Sequence, residues 1–247
     1  MSFKDHFSNQ AAVYAQSRPT YPAALYAELA RLAPSRGLAW DCGTGNGQAA
    51  VALAEHFRQV IATEPSAAQL AKALPHARVV YRQSAELAPA VCDGTVDLVT
   101  AAQAAHWFDR PKFYAEAKRV LRPGGIIALW SYWLGRVTPE IDRIVDRFHH
   151  ETTGPCWPPE RRHVENRYGD FDFPFAELPF PALAITREWT AGEMSAFLSS
   201  WSAVDRYRRE RGEDPMPAVT ADLRAAWGGE RRIVTWQMFG RLGRTGI

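Results

Sequence analysis

Cysteine is scarce in this chain. The three present, Cys42, Cys92 and Cys156, are odd in number, far apart and form no CxxC pair, which supports neither a disulfide framework nor a cysteine zinc site. They read as reduced, small core residues. An excess of charge of one sign is also missing: 29 basic and 27 acidic residues leave a formal charge of +2 and a pI near 8.5. Spread along the chain as they are, these charges make no electrostatic footprint for nucleic acid. No long apolar run occurs, since the stretch around 126–134 falls well short of the roughly 20 residues of a membrane span. The opening MSFKDHFSNQ lacks the apolar region of a signal peptide, so the expected location is cytoplasmic. Internal repeats and low-complexity tracts are absent as well. What is present is 247 residues, 47% of them hydrophobic, enough for one large domain with a substantial core.

Short β-type runs alternate with helical patterns through the first half. GLAWDCG, QVIATEP, RVVYRQS, VDLVTAAQ and GGIIALWSY are separated by helix patterns near 46–57, 66–74 and 111–121. That order predicts a doubly wound α/β fold with a mostly parallel sheet. Local chemistry marks the boundaries: Ser66 with Gln69 makes a capping box, Asp109 caps the helix that has Pro111 in its first turn, and LRPGG stops it. Thr138-Pro139 opens a helix to about Glu151, and the Pro- and aromatic-rich stretch to Pro181 is long enough to suggest a functional loop or lid. ALAITREWT then reads as a strand, Thr190 with Glu193 caps a helix over MSAFLSSWSAVDRYRRERG, and RRIVTWQMFGRL alternates as a terminal strand.

The chemistry concentrates in LAWDCGTGNGQAA, where Gly43, Gly45 and Gly47 follow a strand and precede a helix. A dinucleotide fold sets a pyrophosphate on such a turn, with GxGxxG spacing. Here the spacing is GxGxG, and Asp41 stands just before it. A carboxylate about 4 Å from a phosphate charge opposes it by roughly 4 kcal/mol at an effective dielectric of about 20. A cofactor with an ammonium gains from the same carboxylate, and S-adenosylmethionine (SAM) carries an ammonium, a sulfonium, a ribose and an adenine. Glu64, at the end of the second strand, is placed to accept from the ribose hydroxyls. Asn46 lies in the turn, Ser84, Ala85 and Glu86 follow the third strand where an adenine edge would be held, and Gln103, His106 and Trp107 end the fourth.

With these stations in this order, the sequence resembles the class I SAM-dependent methyltransferases. FSNQAAVYAQSRPTYP, QAAHWFD, FLSSWSAVDRYRRERGEDP and WQMFGRLGR extend the likeness to the small-molecule subfamily typified by trans-aconitate methyltransferases. The resemblance implies a Rossmann-like fold with a seven-stranded, mostly parallel sheet and a helical or loop insertion before the last two strands. It implies one domain over 1–247: an N-terminal lid and first helix over 1–36, a cofactor core over 37–135, a substrate-side insertion over 136–181 and C-terminal strands and helices over 182–247. It would set Tyr14 and Arg18 on the methionine end of SAM, place substrate choice in 151–181, and favour O-methylation of a carboxylate on a small molecule.

Other readings stand beside these. An NAD-dependent oxidoreductase is opposed by Asp41 and the glycine spacing, and a non-catalytic SAM-binding regulatory protein stays open because no indispensable catalytic residue is legible. His106 is either a structural histidine or a group beside the acceptor, where it would serve a hydroxyl or thiol as a base. His149, His150, Glu151, Cys156 and His163 are of metal-ligating type but lack a recognised spacing, so no metal is expected. The basic runs PPERR and DRYRRERGED alternate with acids and read by default as solvated faces, the alternative for some of their arginines being the lining of a pocket for an anionic substrate. AAQAAHWFD stands where amino-methylating nucleic-acid enzymes carry an NPPY-type tetrapeptide, so neither a nucleic-acid nor a membrane partner is expected. Nothing in the sequence specifies an oligomeric state.

Overall fold

The computed structural model describes residues 19–246. In chain order these form α1 (Ala23–Leu32), β1 (Leu38–Cys42), α2 (Gln48–Ala54), β2 (Gln59–Glu64), α3 (Ala67–Leu70), β3 (Val79–Gln83), β4 (Val96–Ala102), α4 (Arg110–Val120) and β5 (Leu121–Tyr132). The second half contributes α5 (Pro139–Arg147), α6 (Arg161–Glu165), β6 (Ala176–Leu178), β7 (Ala184–Trp189), α7 (Ala191–Ser199), α8 (Ser202–Arg211), α9 (Met216–Trp227) and β8 (Arg232–Arg244).

The sheet runs β3-β2-β1-β4-β5-β8-β6, with β7 also paired to β8. The first five strands are mutually parallel and β8 is antiparallel to β5. The chain thus departs from β1 in both directions, and the reversal falls between β1 and β4, where the carboxyl ends of neighbouring strands open a crevice. Strand residues alternate between two cores, as a sheet covered on both faces requires. Ala39, Leu98, Ile126 and Trp130 pack with α1, α2, α7 and α9 on one side. Trp40, Val99, Ile127 and Leu129 pack with α4 and the 164–173 segment on the other.

Several expected caps are present. The Ser66 hydroxyl accepts from Gln69 N, the Asp109 carboxylate from Lys112 N, and Thr190 and Glu193 complete a reciprocal capping box. Three expected elements need correction. Eight strands stand where seven are expected, because β6 and β7 pair with successive parts of β8, 242–244 and 232–237. The helix expected over 66–74 stops at Leu70. The helix expected from Met194 into the RYRRERG run breaks at Trp201, whose backbone is extended while its ring is buried against Phe148, Trp157 and Phe197. Packing of that one large ring outweighs the local helical preference on either side. The helix from Pro139 passes into a π-helical turn over Phe148–Thr152, close to the end predicted for it. Cys42 and Cys156 are buried, but Cys92 is exposed, unlike a core residue.

Asp97 fastens the amino edge of the sheet. It is fully buried, accepts from Gly37 N and Leu38 N at 2.8 and 2.9 Å, and is paired with Arg122 Nε at 2.9 Å. Replacing it with alanine removes the acceptor of Leu38 N, leaves Gly37 N only the Ser35 hydroxyl at 3.3 Å, and takes the carboxylate from Arg122. Asp97→Ala is expected to cost about 3 kcal/mol of stability, read as a lowered urea midpoint with little change in slope; an unchanged midpoint contradicts this role.

Candidate active site

The turn between β1 and α2 is built by three left-handed glycines, with φ of 67° at Gly43, 59° at Gly45 and 87° at Gly47. Gly43 N and Thr44 N both donate to Thr63 O, at 2.8 and 3.0 Å, which ties the turn to the end of β2. The glycines meet different surroundings. A Cβ on Gly43 would stand 2.6 Å from Ala104 Cβ, and one on Gly47 would collide with the Tyr81 hydroxyl. Among the described residues nothing lies within 4 Å of one on Gly45. Among those residues the turn is packed at both shoulders and open in the middle.

Two carboxylates flank that opening. Asp41 is 1% exposed, and its oxygens accept from the Thr44 and Thr100 hydroxyls at 2.6 and 2.7 Å. Burial raises its pKa to about 6, opposed by the two hydroxyls and aided by the charge of Glu64. Glu64 accepts from Gly45 N and Ser66 N, each at 3.0 Å. One carboxylate therefore clamps the middle of the glycine turn to the start of α3. The Asn46 carbonyl accepts from Leu74 N at 2.9 Å. Ser84 N reaches Glu64 O at 3.2 Å, the Ala85 carbonyl accepts from Cys42 Sγ, and Glu86 accepts from Asp109 N at 3.2 Å. The segment after β3 is thereby drawn between the ends of β1 and β2 and the start of α4.

Gln103 to Phe108, after β4, shares a border with this cradle through Ala104. Gln103 has φ of 55°, its N–H donates to Trp130 O at 2.9 Å, and its Oε1 accepts from the Ser131 hydroxyl at 2.8 Å. His106 is 6% exposed, with Nδ1 3.1 Å from the Tyr168 hydroxyl. Together with Trp107 these residues form one wall of a cavity completed by Tyr132, Trp133, Trp157 and Trp201. Arg161 also lines it, with its guanidinium carbon 4.6 Å from the centroid of Trp157 and 5.8 Å from that of Trp133. Behind the tryptophans lies His149, its ring 5.0 Å from Trp157 and 5.6 Å from Trp201. Burial, reinforced by the charge of Arg161, lowers its pKa to about 3 and holds it neutral.

Of the residues expected at the site, Asp41, Gly43, Gly45, Asn46, Glu64, Ser84, Ala85 and Glu86 gather around the glycine turn, while Gln103 and His106 line the neighbouring cavity. Tyr14 and Arg18 lie outside the described residues. Ser131, Trp157, Arg161, Tyr168 and Trp201 were not foreseen individually; the length and aromatic content of 151–181 are the signal that pointed to three of them. Arg161, in the PPERR run, lines the cavity rather than a solvated face, the alternative given for these arginines. The DRYRRERGED run is the solvated face expected, with pairs Arg206–Glu210, Arg208–Asp214 and Arg209–Asp205. His150 is held by Asp146 O and His163 by Asp170, and among the described residues no group of three or more metal-ligating side chains converges. No helix of the described residues is long and apolar enough to cross a membrane.

Comparison with known proteins bears on this geometry. Residues 40–129 match the family model described as a methyltransferase domain. A protein of Dictyostelium discoideum named as a methyltransferase is 36% identical over 229 residues, covering 91% of this chain and 87% of the relative. A Saccharomyces cerevisiae protein named for S-adenosylmethionine-dependent methyl transfer is 28% identical over 133 residues, 50% of this chain and 45% of that protein. A solved structure from Anaeromyxobacter dehalogenans, described as a candidate type II methyltransferase, superposes with a TM-score of 0.87 at 45% identity, covering 93% of this chain and 99% of that one.

The raised pKa of Asp41 sets a pH dependence of stability. An unfolded aspartate titrates near 3.8 and the folded one near 6, so between these values the folded state binds the extra proton and stability falls as pH rises. Above pH 6 the buried charge costs on the order of 3 kcal/mol. Asp41→Asn should therefore gain stability over the wild type above pH 6 and match it near pH 4, as read by thermal or urea unfolding across pH. A variant less stable at every pH would show that the carboxylate is there for structure.

Proposed function

The chain belongs to the SAM-dependent methyltransferases, and we propose that it methylates an oxygen of a small molecule seated in the aromatic cavity, a carboxylate being the favoured acceptor. The observation that carries this reading is the contact of Gly43 with Ala104: the turn that cradles the cofactor and the segment that walls the cavity touch. Acceptor and cofactor can then meet at the crevice between β1 and β4. A cavity walled by indole and phenol rings suits a small apolar body with one polar group. Arg161 supplies the cation that such a group, if anionic, would require. The likeness to the trans-aconitate subfamily points the same way.

The cradle fits SAM better than a pyrophosphate. Its two nearest side-chain charges are the carboxylates of Asp41 and Glu64, which oppose phosphate and favour an ammonium and a ribose diol. In this reading Asp41 faces the methionine end, Glu64 accepts from the ribose, Gly45 and Asn46 line the approach, and Ser84 to Glu86 border the adenine. Gln103 sits where cradle and cavity meet. Tyr14 and Arg18 belong to the methionine end by resemblance, and 136–181 is the acceptor side of a single domain. SAM, when bound, supplies an electrophilic methyl group on a sulfonium. The residues of this chain bind, align and keep water out, which is what an in-line displacement chiefly demands. A second reading, a phenolic or enolic hydroxyl acceptor, is favoured by the burial of His106 beside Tyr168, which suits a base.

Calorimetry with SAM tests the cradle. Asp41→Ala and Glu64→Ala are each expected to weaken binding by more than about tenfold, since charge-assisted hydrogen bonds contribute roughly 1.5–3 kcal/mol. Wild-type affinity should fall as pH drops through about 6, where Asp41 becomes neutral; intact affinity in both variants removes the assignment. Labelled SAM offered with a panel of small aromatic and aliphatic carboxylic acids and phenols tests the acceptor. Arg161→Gln is expected to raise KM for a carboxylic acid by about tenfold or more and to leave KM for SAM unchanged. Turnover of phenols alone would replace the carboxylate by the second reading.

A further inference from the structure

Two walls of the cavity come from segments far apart in the chain, and a histidine outside the cavity joins them. His106 and Trp107 stand in the turn after β4, just before Arg110 opens α4, while Arg161 opens α6, which also carries His163. His163 is 6% exposed, and both of its ring nitrogens are engaged. Nδ1 lies 2.6 Å from Asp170 Oδ2, and Nε2 lies 3.2 Å from Arg110 Nη1. The Arg110 guanidinium also sits 4.5 Å from the centroid of Phe171, whose ring meets that of His163 at 5.3 Å. Arg110, His163, Asp170 and Phe171 thus staple the 163–171 segment to the start of α4. The same staple holds a turn of the backbone: the His163 carbonyl accepts from Tyr168 N at 2.8 Å, and the Tyr168 hydroxyl lies 3.1 Å from His106 Nδ1.

The partners fix the protonation of the ring. A guanidinium only donates, so Nε2 accepts from Arg110 and carries no proton; the ring proton is then on Nδ1, which donates it to the Asp170 carboxylate. An imidazolium here would set two N–H groups against each other and lose the bond from Arg110. We infer that His163 is a positioning residue: as a neutral Nδ1–H imidazole it bridges Arg110 to Asp170 and holds the Arg161 wall of the cavity in register with the His106 wall. His163 does not itself line the cavity, so it acts on an acceptor through Arg161, two residues earlier on α6, and through the turn that carries Tyr168. Its effect on an acceptor rests on the proposed function; the bridge between the walls does not.

Nitrogen-15 NMR of the full chain reads the bridge without any acceptor. Histidine-labelled protein at neutral pH, with His163→Asn used to assign the signals, is expected to show His163 Nδ1 as pyrrole-type and Nε2 as pyridine-type. A ring protonated on Nε2, or on both nitrogens, overturns the inference. Hydrogen exchange read by mass spectrometry reports on the walls: in His163→Asn and in Arg110→Met, segments 104–110 and 157–171 should exchange about tenfold faster or more, with 38–64 unchanged. His163→Gln, whose amide oxygen reaches the place of Nε2 and accepts from Arg110, should recover most of that protection. Exchange equal to wild type in both Asn and Met variants overturns the inference. Circular dichroism checks folding, and Arg110→Met, which keeps His163, decides the matter if the histidine variants do not fold. With whichever acid or phenol of the panel turns over, His163→Asn should raise the acceptor KM by about fivefold or more and leave SAM affinity by calorimetry within about twofold. A loss confined to SAM affinity also overturns the inference, whereas a panel with no turnover removes the proposed acceptor and leaves the bridge to NMR and exchange.

Discussion

The site depends on a buried negative charge that the fold would be more stable without. Asp41 ends β1 in the middle of the sheet, beneath the glycine turn, with both oxygens held by threonine hydroxyls and with burial raising its pKa. Those hydroxyls lower the cost of ionisation but do not remove it. A carboxylate kept there at an energetic penalty is a preorganised partner for a cation, because its desolvation cost is met on folding rather than on binding. The glycine turn, the Glu64 clamp and the approach of β4 are arranged around that position.

The clamp and the contact work together. Glu64 joins the turn after β1 to the turn after β2 through two backbone donors, and Gly43 leaves just enough room for Ala104 from the turn after β4. Three loops from three neighbouring strands are thus held as one rim. A substitution at Gly43 would push apart the turn after β1 and the turn after β4, even though the residue carries no reactive group.

The lining of the cavity is assembled from elsewhere. Trp157 and Arg161 come from the 151–181 stretch, Trp201 from the break between α7 and α8, and Trp133 from just past β5. None of these segments forms the central parallel strands, so their composition can vary without loss of the sheet. Within that lining the Arg161 guanidinium packs against the indoles of Trp157 and Trp133.

Sequence alone determined what depends on near neighbours. The GxGxG spacing after an apolar run specifies a left-handed turn, Asp41 and Glu64 end strands whose register follows from their alternation, and the caps at Ser66, Asp109 and Thr190 are each satisfied within three residues. These are short-range constraints, and they are legible because the interacting groups are adjacent in the chain. Tertiary structure decided the rest. Tyr168 meets His106 across 62 positions, Trp201 breaks a helix because a distant aromatic cluster takes its ring, and Arg161 enters the cavity although its neighbours in sequence mark a charged surface. No local preference records such meetings, since the energy that fixes them comes from packing and hydrogen bonding between segments that only the completed fold brings together.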